Sequence, residues 1–256
     1  MSSPTIRACS GIRELEACVA LQKEVWNFDD ADLIPLRLFV VATKIGGQVI
    51  GAFDAEELIG FAMSIPGTRN GNPYLHSHML AVRESFRNTG LGRKLKLEQR
   101  DEALGRGIRL IEWTFDPLEI KNAWLNIERL GAIARRYNPN QYGMSSSPLQ
   151  GGLPTDRLVA EWWLDSDRVQ AVLSGSETKA QVQTSISVPG EIYEWKRVAD
   201  PRAKQIQGRN REAFQKSFSA GLSVLRFERD AARNGTYLLG KWDERLDFGS
   251  AETASV

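Results

Sequence analysis

The sequence contains little cysteine and histidine, and this scarcity excludes several kinds of site. Its 256 residues include two cysteines, Cys9 and Cys18, and two histidines, His76 and His78. Two thiols cannot build the disulfide framework of a secreted chain, and these two do not form a CxxC pair. A zinc site made of cysteine and histidine ligands is not expected either. We therefore predict a protein that holds no metal.

An excess of charge of one sign and long apolar runs are also missing. Lys and Arg total 33 against 32 for Asp and Glu, which gives a net charge of +1. Such a balance provides no global field to attract nucleic acid or an anionic membrane. No run approaches the ~20 apolar residues of a membrane span, and the first ten residues lack the pattern of a signal peptide. We predict a cytoplasmic protein without nucleic-acid or membrane partners.

The hydrophobic pattern of the first two thirds predicts an α/β chain with a mixed sheet. A short strand over Thr5–Cys9 precedes two helices and a hairpin that turns at Glu56. A strand over Tyr74–Val82 leads into a glycine-containing turn and an amphipathic helix. A buried strand over Ile108–Phe115 and a helix that starts near Pro117 follow.

The last third predicts a helix-and-strands extension. We expect a surface loop over Ser174–Ser187, a strand over Glu191–Val198 and a helix over Pro201–Ala220. Two strands, Leu222–Phe227 and Thr236–Gly240, would close the extension. The predicted domains are residues 1–165 and 166–256, and we expect the tail from about residue 243 to be disordered.

The stretch after the strand Tyr74–Val82 carries the chemistry. It reads Arg87-Asn88-Thr89-Gly90-Leu91-Gly92, and Arg93 and Lys94 follow it. Glycine lets the backbone approach a phosphate closely, and the free N–H groups of a helix start point at that phosphate. A short motif of this kind often matches by accident. Its position between a strand and an amphipathic helix favours a pyrophosphate-binding loop.

At these residues the chain resembles the GNAT acyltransferase superfamily, whose signature is an Arg/Gln-x-x-Gly-x-Gly/Ala turn between the fourth strand and the third helix. The resemblance covers roughly residues 4–165 in the order of elements and is motif-specific over 76–95. It implies a mixed, mostly antiparallel sheet flanked by helices. It also implies an acyl-CoA co-substrate, and transfer of an acetyl or succinyl group to a primary amine.

The resemblance further implies which residues contact the cofactor. Backbone groups of Leu80, Ala81 and Val82 would pair with the pantetheine arm. Asn122, near the start of the next helix, is a further candidate contact, although a helix-end role explains it equally simply. The pyrophosphate would lie on the loop itself, formed by Arg87, Asn88, Thr89, Gly90, Leu91, Gly92 and Arg93.

The resemblance also suggests catalytic residues. A general base often projects from the fourth strand fourteen residues before the first loop glycine, and here that residue is His76, with His78 as the alternative. An imidazole with a reference pKa of about 6.5 can accept a proton near neutral pH. The family's tyrosine acid is missing, since Ile127 occupies its place, and we take Tyr137, or alternatively Tyr142, as the candidate acid.

We therefore expect an N-acyltransferase that acts on a small-molecule amine or an amino acid, and leave open whether it forms a homodimer. One alternative is a CoA-binding protein of the same fold without catalysis. Another is an unrelated α/β nucleotide-binding enzyme, although the loop matches neither G-x-G-x-x-G nor a P-loop.

Asn210, Ala213 and Gly221 also hint at a degenerate second copy of the family's closing unit, but a helix that ends at glycine is common. We interpret Arg135 and Arg136 as solvated.

Overall fold

The computed structural model describes residues 3–27, 29–143, 145, 147, 150–178 and 180–242. Within them, ten strands form a single sheet in the order β1-β2-β3-β4-β5-β7-β6-β9-β10-β8. Neighbouring strands are antiparallel except β4 and β5. The strands are β1 (Thr5–Ala8), β2 (Gln48–Asp54), β3 (Glu57–Arg69), β4 (Asn72–Val82), β5 (Leu110–Phe115), β6 (Ile133–Asn138), β7 (Arg157–Trp163), β8 (Val182–Val188), β9 (Leu222–Arg229) and β10 (Gly235–Lys241).

Helices cover both faces of this sheet, which confirms the predicted α/β class with a mostly antiparallel sheet. Short 3₁₀ turns occupy Asp30–Asp32 and Glu84–Phe86. The α-helices are α1 (Gly11–Trp26), α2 (Leu36–Lys44), α3 (Leu91–Gly105), α4 (Ile120–Ala123), α5 (Asp167–Ser174), α6 (Ile192–Arg197) and α7 (Pro201–Ser219). A π-helical turn over Trp124–Arg129 continues α4.

The helices on the two faces of the N-terminal strands are fixed by separate apolar clusters. Leu15 of α1 and Phe39 of α2 pack on Met79 and Ala81 of β4. Leu95 of α3 belongs to a different cluster, on the opposite face, together with apolar residues of β2 and β3. Because α3 begins directly after the glycine loop, this packing fixes where the loop lies relative to β4.

The C-terminal tract continues the sheet beyond β6. Strand β9 pairs with β6 at Ala134 and Val224, and β10 and β8 follow outward. Phe214 of α7 packs on Tyr137 and Tyr237, with ring centroids 5.7 and 5.1 Å apart. One sheet thus runs through both predicted domains, and the boundary at residue 165 remains a prediction.

Two sequence predictions for the second half are wrong, and one strand was missed. The expected loop Ser174–Ser187 contains most of edge strand β8, whose outward-facing polar residues hide its alternation. The expected strand Glu191–Val198 is helix α6, where the buried residues Ile192 and Lys196 lie one helical turn apart. Strand β6 was not predicted, because a bulge at Arg135 interrupts its alternation. The tail expected to be disordered lies outside the described residues.

Candidate active site

The glycine loop connects β4 to α3 through a tight left-handed turn. Asn88 and Gly90 have φ of 64° and 86°, a region that glycine adopts without cost. Gly90 is the residue before the first residue of α3, and its carbonyl accepts the first helical bond, from the Lys94 amide at 3.1 Å. Arg87 Nε donates to the Val82 carbonyl at 3.3 Å, which holds the loop against the end of β4.

The amides of this loop are available to a ligand. Within the described part of the chain, no amide from residue 88 to residue 93 donates to a backbone carbonyl or a side chain. Six consecutive free N–H groups at a helix start form an anion-binding concavity, and the helix dipole adds positive potential there. The loop therefore fits the pyrophosphate of an acyl-CoA.

Strands β4 and β5 separate beside this loop. They pair in parallel only at Leu75 with Ile111 and at His76 with Glu112. Beyond His76, β4 continues to Val82 hydrogen-bonded to β3 alone. The edge of Leu80, Ala81 and Val82 that faces β5 is thus open, so it can pair with an extended arm that enters from the loop.

A β-bulge at His78 changes which residues share a face of β4. Ser77 pairs with Ser64 and Met79 pairs with Met63, so His78 has no opposite residue. Ser77 contacts α3, as Leu80 does, while Met79 packs toward α1 and α2. The alternation of a regular strand would place Ser77 and Met79 on one face, and the bulge puts them on opposite faces.

His76 lies at the point where the two strands separate. By alternation with Ser77 it faces away from α3, and its ring centroid is 6.2 Å from that of His78. Burial, followed by the charges of His78, Lys96 and Arg136, lowers the pKa of His76 to about 4. The imidazole is consequently neutral at physiological pH and able to accept a proton.

A cluster of three arginines and two glutamates lies beside His76; we call it the arginine–glutamate cluster. Its carboxylates belong to Glu112 and Glu161, which are 3% and 1% exposed. Glu112 pairs with Arg69 and Arg136, and Glu161 pairs with Arg136 at 3.1 Å and Arg135 at 3.0 Å. The cluster has one positive charge in excess and joins β3, β5, β6 and β7.

The two carboxyls of the cluster differ in pKa. Burial raises the pKa of Glu112 and outweighs the opposing charges of Arg136 and Arg69. Burial also acts on Glu161, but Arg136 and Arg135 outweigh it and hold its pKa below the usual value. The prediction that Arg135 and Arg136 are solvated is wrong. A signal for these ion pairs was present in the sequence, since each of two apolar strands contains a glutamate. A buried carboxylate needs a cationic partner.

The two tyrosines proposed as acids occupy different environments. The hydroxyl of Tyr137 donates to Asp156 at 2.6 Å, and Arg211 also binds that carboxylate. Burial and Asp156 together raise the pKa of Tyr137. Tyr142 is 49% exposed, and its hydroxyl lies 3.0 Å from that of Thr114 on β5. Tyr137 is thus committed to a buried network, whereas Tyr142 is at the surface.

Asn122 is exposed on α4, on the chain segment that follows β5. In the part of the chain that the structure describes, no group of three or more potential ligands is arranged to hold a metal ion. The helices of that part include none with the length and apolar character needed to cross a membrane.

One segment of the chain matches the model of a known family. Residues 13–124 match the acetyltransferase (GNAT) family. The matched segment runs from α1 to the start of the π-helical turn, so it contains the glycine loop, the opening between β4 and β5, and His76. No curated protein matches the sequence.

Solved structures share the fold at low sequence identity. The ribosomal-protein-S18-alanine N-acetyltransferase from Escherichia coli has a TM-score of 0.51 at 15% identity, covering 71% of this chain and 99% of that one. The yncA protein from Salmonella typhimurium, solved with its cofactor acetyl-CoA, gives 0.52 at 18%, with 64% and 96% covered. An N-acetyltransferase from Staphylococcus aureus Mu50 gives 0.53 at 15%, with 64% and 100% covered.

Proposed function

We propose, on the premise that residues 13–124 form a GNAT acetyltransferase domain, that this protein transfers an acyl group from acyl-CoA to the primary amine of a small molecule. The observation that carries the proposal is the continuous binding path on one edge of β4. Six free amides lie at one end of this path, the open edge of Leu80, Ala81 and Val82 forms its middle, and His76 stands at its closed end.

The residues of this path have separate tasks. The amides of residues 88–93 and the guanidinium of Arg93 hold the pyrophosphate, and the open edge of β4 aligns the pantetheine arm. Holding donor and amine together supplies a large part of the rate acceleration. Asn122 is exposed on α4, which follows β5 in the chain. We assign it a contact with the pantetheine arm from the β5 side.

His76 is proposed to take the proton that the amine nitrogen loses when its bond to the acyl carbon forms. With a pKa of about 4, it cannot readily deprotonate a free α-ammonium of pKa about 8, since four units correspond to about 5 kcal/mol. The amine must therefore enter in its neutral form. Its nitrogen becomes strongly acidic once it has attacked the acyl carbon, and transfer to His76 is then favourable.

The arginine–glutamate cluster lies on the acceptor side of His76. Its positive excess favours an acceptor that carries an anionic group near its amine, which an amino acid does. Arg135 and Arg136 keep 30% and 27% of their side-chain surface exposed, so both remain reachable. We place the acceptor's carboxylate beside these two guanidiniums.

Calorimetric titration with acetyl-CoA, succinyl-CoA, ATP and NAD tests the proposal at its first step. We expect binding of one or both acyl-CoA species and no binding of ATP or NAD. A panel of amines, with and without a carboxylate, then tests turnover through the released thiol. Acyl-CoA binding without turnover on any amine would favour a binding protein that has lost catalysis.

A further inference from the structure

Lys96 of α3 is a buried lysine with aromatic neighbours in place of carboxylates. It is 2% exposed, and its Nζ lies 3.6 Å from the ring centroid of Trp113 and 6.0 Å from that of Trp162. Among the residues that the structure describes, none offers it a carboxylate within ion-pair distance. Burying an ammonium in this position costs several kcal/mol of desolvation free energy. Each aromatic face can offset about 0.5–2 kcal/mol of that cost.

The polar atoms around Lys96 include more donors than acceptors. Its Nζ donates to Ser77 Oγ at 2.9 Å and to Gln99 Oε1 at 3.3 Å. Ser77 Oγ donates to the same Gln99 Oε1 at 3.0 Å. The Nε2 of Gln99 is buried and has no hydrogen-bond partner among the described atoms. The cluster thus has three donor groups against two acceptors and leaves one donor unpaired, so it would stabilise an added anion.

This cluster lies where β4 and β5 separate. Ser77 directly follows His76, the last residue of β4 that pairs with β5, and directly precedes the bulge at His78. From Val82 to Ser77 is five residues, about 17 Å along a strand. An extended pantetheine arm whose pyrophosphate lies on the glycine loop spans a comparable length. Its sulfur would therefore arrive near Ser77.

We propose, resting on the proposed function, that Ser77 and Lys96 stabilise and protonate the thiolate that leaves acyl-CoA. The amine nitrogen bonds to the acyl carbon, the carbon–sulfur bond breaks, and its electron pair stays on sulfur. Ser77 gives its proton to the sulfur and receives one from Lys96, which becomes a neutral amine. His76 takes the proton lost by the nitrogen and releases it to solvent, and solvent returns one proton to Lys96 before the next turnover. In this arrangement Lys96 is a positioning residue that acts through Ser77.

The proposal accounts for the missing tyrosine. The hydroxyl of Tyr137 is held by Asp156, and Ile127, at the place of the family's tyrosine, has no ionisable proton, so neither offers a proton at the opening. Burial lowers the pKa of Lys96 well below that of an exposed lysine. A lowered pKa makes its proton easier to transfer near neutral pH.

The pKa of the thiol of bound CoA tests this proposal without any acceptor amine. We would titrate the protein–CoA complex and follow the ultraviolet absorbance of the thiolate in wild type, Lys96→Met and Ser77→Ala. Lys204→Met, at an exposed position of α7, is the control for loss of one positive charge. A nearby ammonium lowers the pKa of such a group by about one to three units.

We expect a lowered thiol pKa in wild type and Lys204→Met, and a higher one in Lys96→Met and Ser77→Ala, with similar CoA affinity in all four. Methionine suits the apolar surroundings of Lys96, so we also expect an equal or higher melting temperature for Lys96→Met. Equal thiol pKa values in the bound complexes would overturn the role of Lys96 while leaving the proposed function intact. Failure of wild type to bind CoA would overturn the proposed function itself.

Discussion

Lys96 and Lys196 are both buried lysines, and their surroundings are opposite. Lys196 of α6 is 6% exposed and donates to Asp116 at 2.9 Å and Glu119 at 3.2 Å. Burial opposes its charge, but the two carboxylates outweigh burial and raise its pKa. Lys96 has two tryptophan rings and a hydroxyl in place of carboxylates, and burial lowers its pKa.

The different surroundings of the two lysines indicate different roles, one in stability and one in the chemistry of the site. The ion pairs of Lys196 tie α6 to the chain between β5 and α4, and so attach the C-terminal tract to the sheet. Lys96 leaves its charge uncompensated next to the opening between β4 and β5. Uncompensated buried groups commonly mark functional sites, because stability alone does not favour them. Substitutions near Lys96 should therefore reduce activity, and those near Lys196 should reduce stability.

The largest effect is expected at Gly90. Gly90→Glu places a carboxylate at the anion site, and acetyl-CoA binding should be lost. The fold should survive, since a Cβ at Gly90 would meet no atom within 4 Å and the left-handed φ costs only about 1–2 kcal/mol. Gly175→Glu carries the same charge and a similar φ of 78° at the end of α5, and it should bind normally. Calorimetry that shows wild-type affinity for Gly90→Glu would place the pyrophosphate elsewhere.

The next effect concerns His76. His76→Ala should lower kcat/KM by about 10²–10⁴ with little change in CoA affinity. In wild type the rate should fall with the fraction of neutral amine below the pKa of the amine, and it should fall more steeply as pH drops through about 4, because a protonated imidazole cannot accept the proton. That additional fall should be absent from the variant. An unchanged pH profile would transfer the role to His78, which His78→Ala would then reveal.

Substitution of Lys196 should affect the other region. Lys196→Met leaves the partly buried carboxylates of Asp116 and Glu119 without their partner. Loss of one partner from a fully buried ion pair costs about 3–5 kcal/mol of unfolding free energy, which is the upper bound here. Chemical denaturation measures this cost, and thiol release by the remaining folded protein should show an unchanged kcat. If the cost were below about 1 kcal/mol, the ion pairs would not be what attaches α6 to the sheet.

The smallest effect is a difference in the pH dependence of stability. The pKa of Lys96 is lowered in the folded state, whereas in the unfolded chain it has the ordinary value of 10.5. Between these two pKa values the unfolded chain binds more protons than the folded protein. Wild-type stability should then rise with pH in that window, and Lys96→Met should lack this rise. The raised pKa of Lys196 has the opposite sign, and its stabilisation should fall away above 10.5. Equal pH slopes for wild type and Lys96→Met would show that Lys96 is not desolvated.

The elements that the sequence predicted correctly depend on local signals. The glycines of the loop, the periodicity of α3 and α7 and the apolar runs of β2 and β3 can each be recognised within a short stretch. A family resemblance at the loop was enough to predict the sheet around it and the place of His76. The fold and the place of the glycine loop between β4 and α3 were therefore accessible from residues close together in the chain.

The features that were missed depend on residues far apart in the chain. Lys96 follows Leu95 in an ordinary polar helix, and only its packing against Trp113 and Trp162 shows that it is buried. The bulge at His78 arises from pairing with β3, and it places Ser77 and Met79 on opposite faces of β4. The arginine–glutamate cluster joins four strands, so no short pattern predicts it.

Thiol release from acetyl-CoA, measured with wild-type protein over a panel of primary amines, tests the central claim most directly. We expect release that depends on an amine, increases as the amine becomes neutral with rising pH, and is greater for amines that carry a carboxylate. Gly90→Glu should abolish this release, and His76→Ala should reduce it. Binding of acetyl-CoA with no amine-dependent release from any member of the panel would contradict the claim.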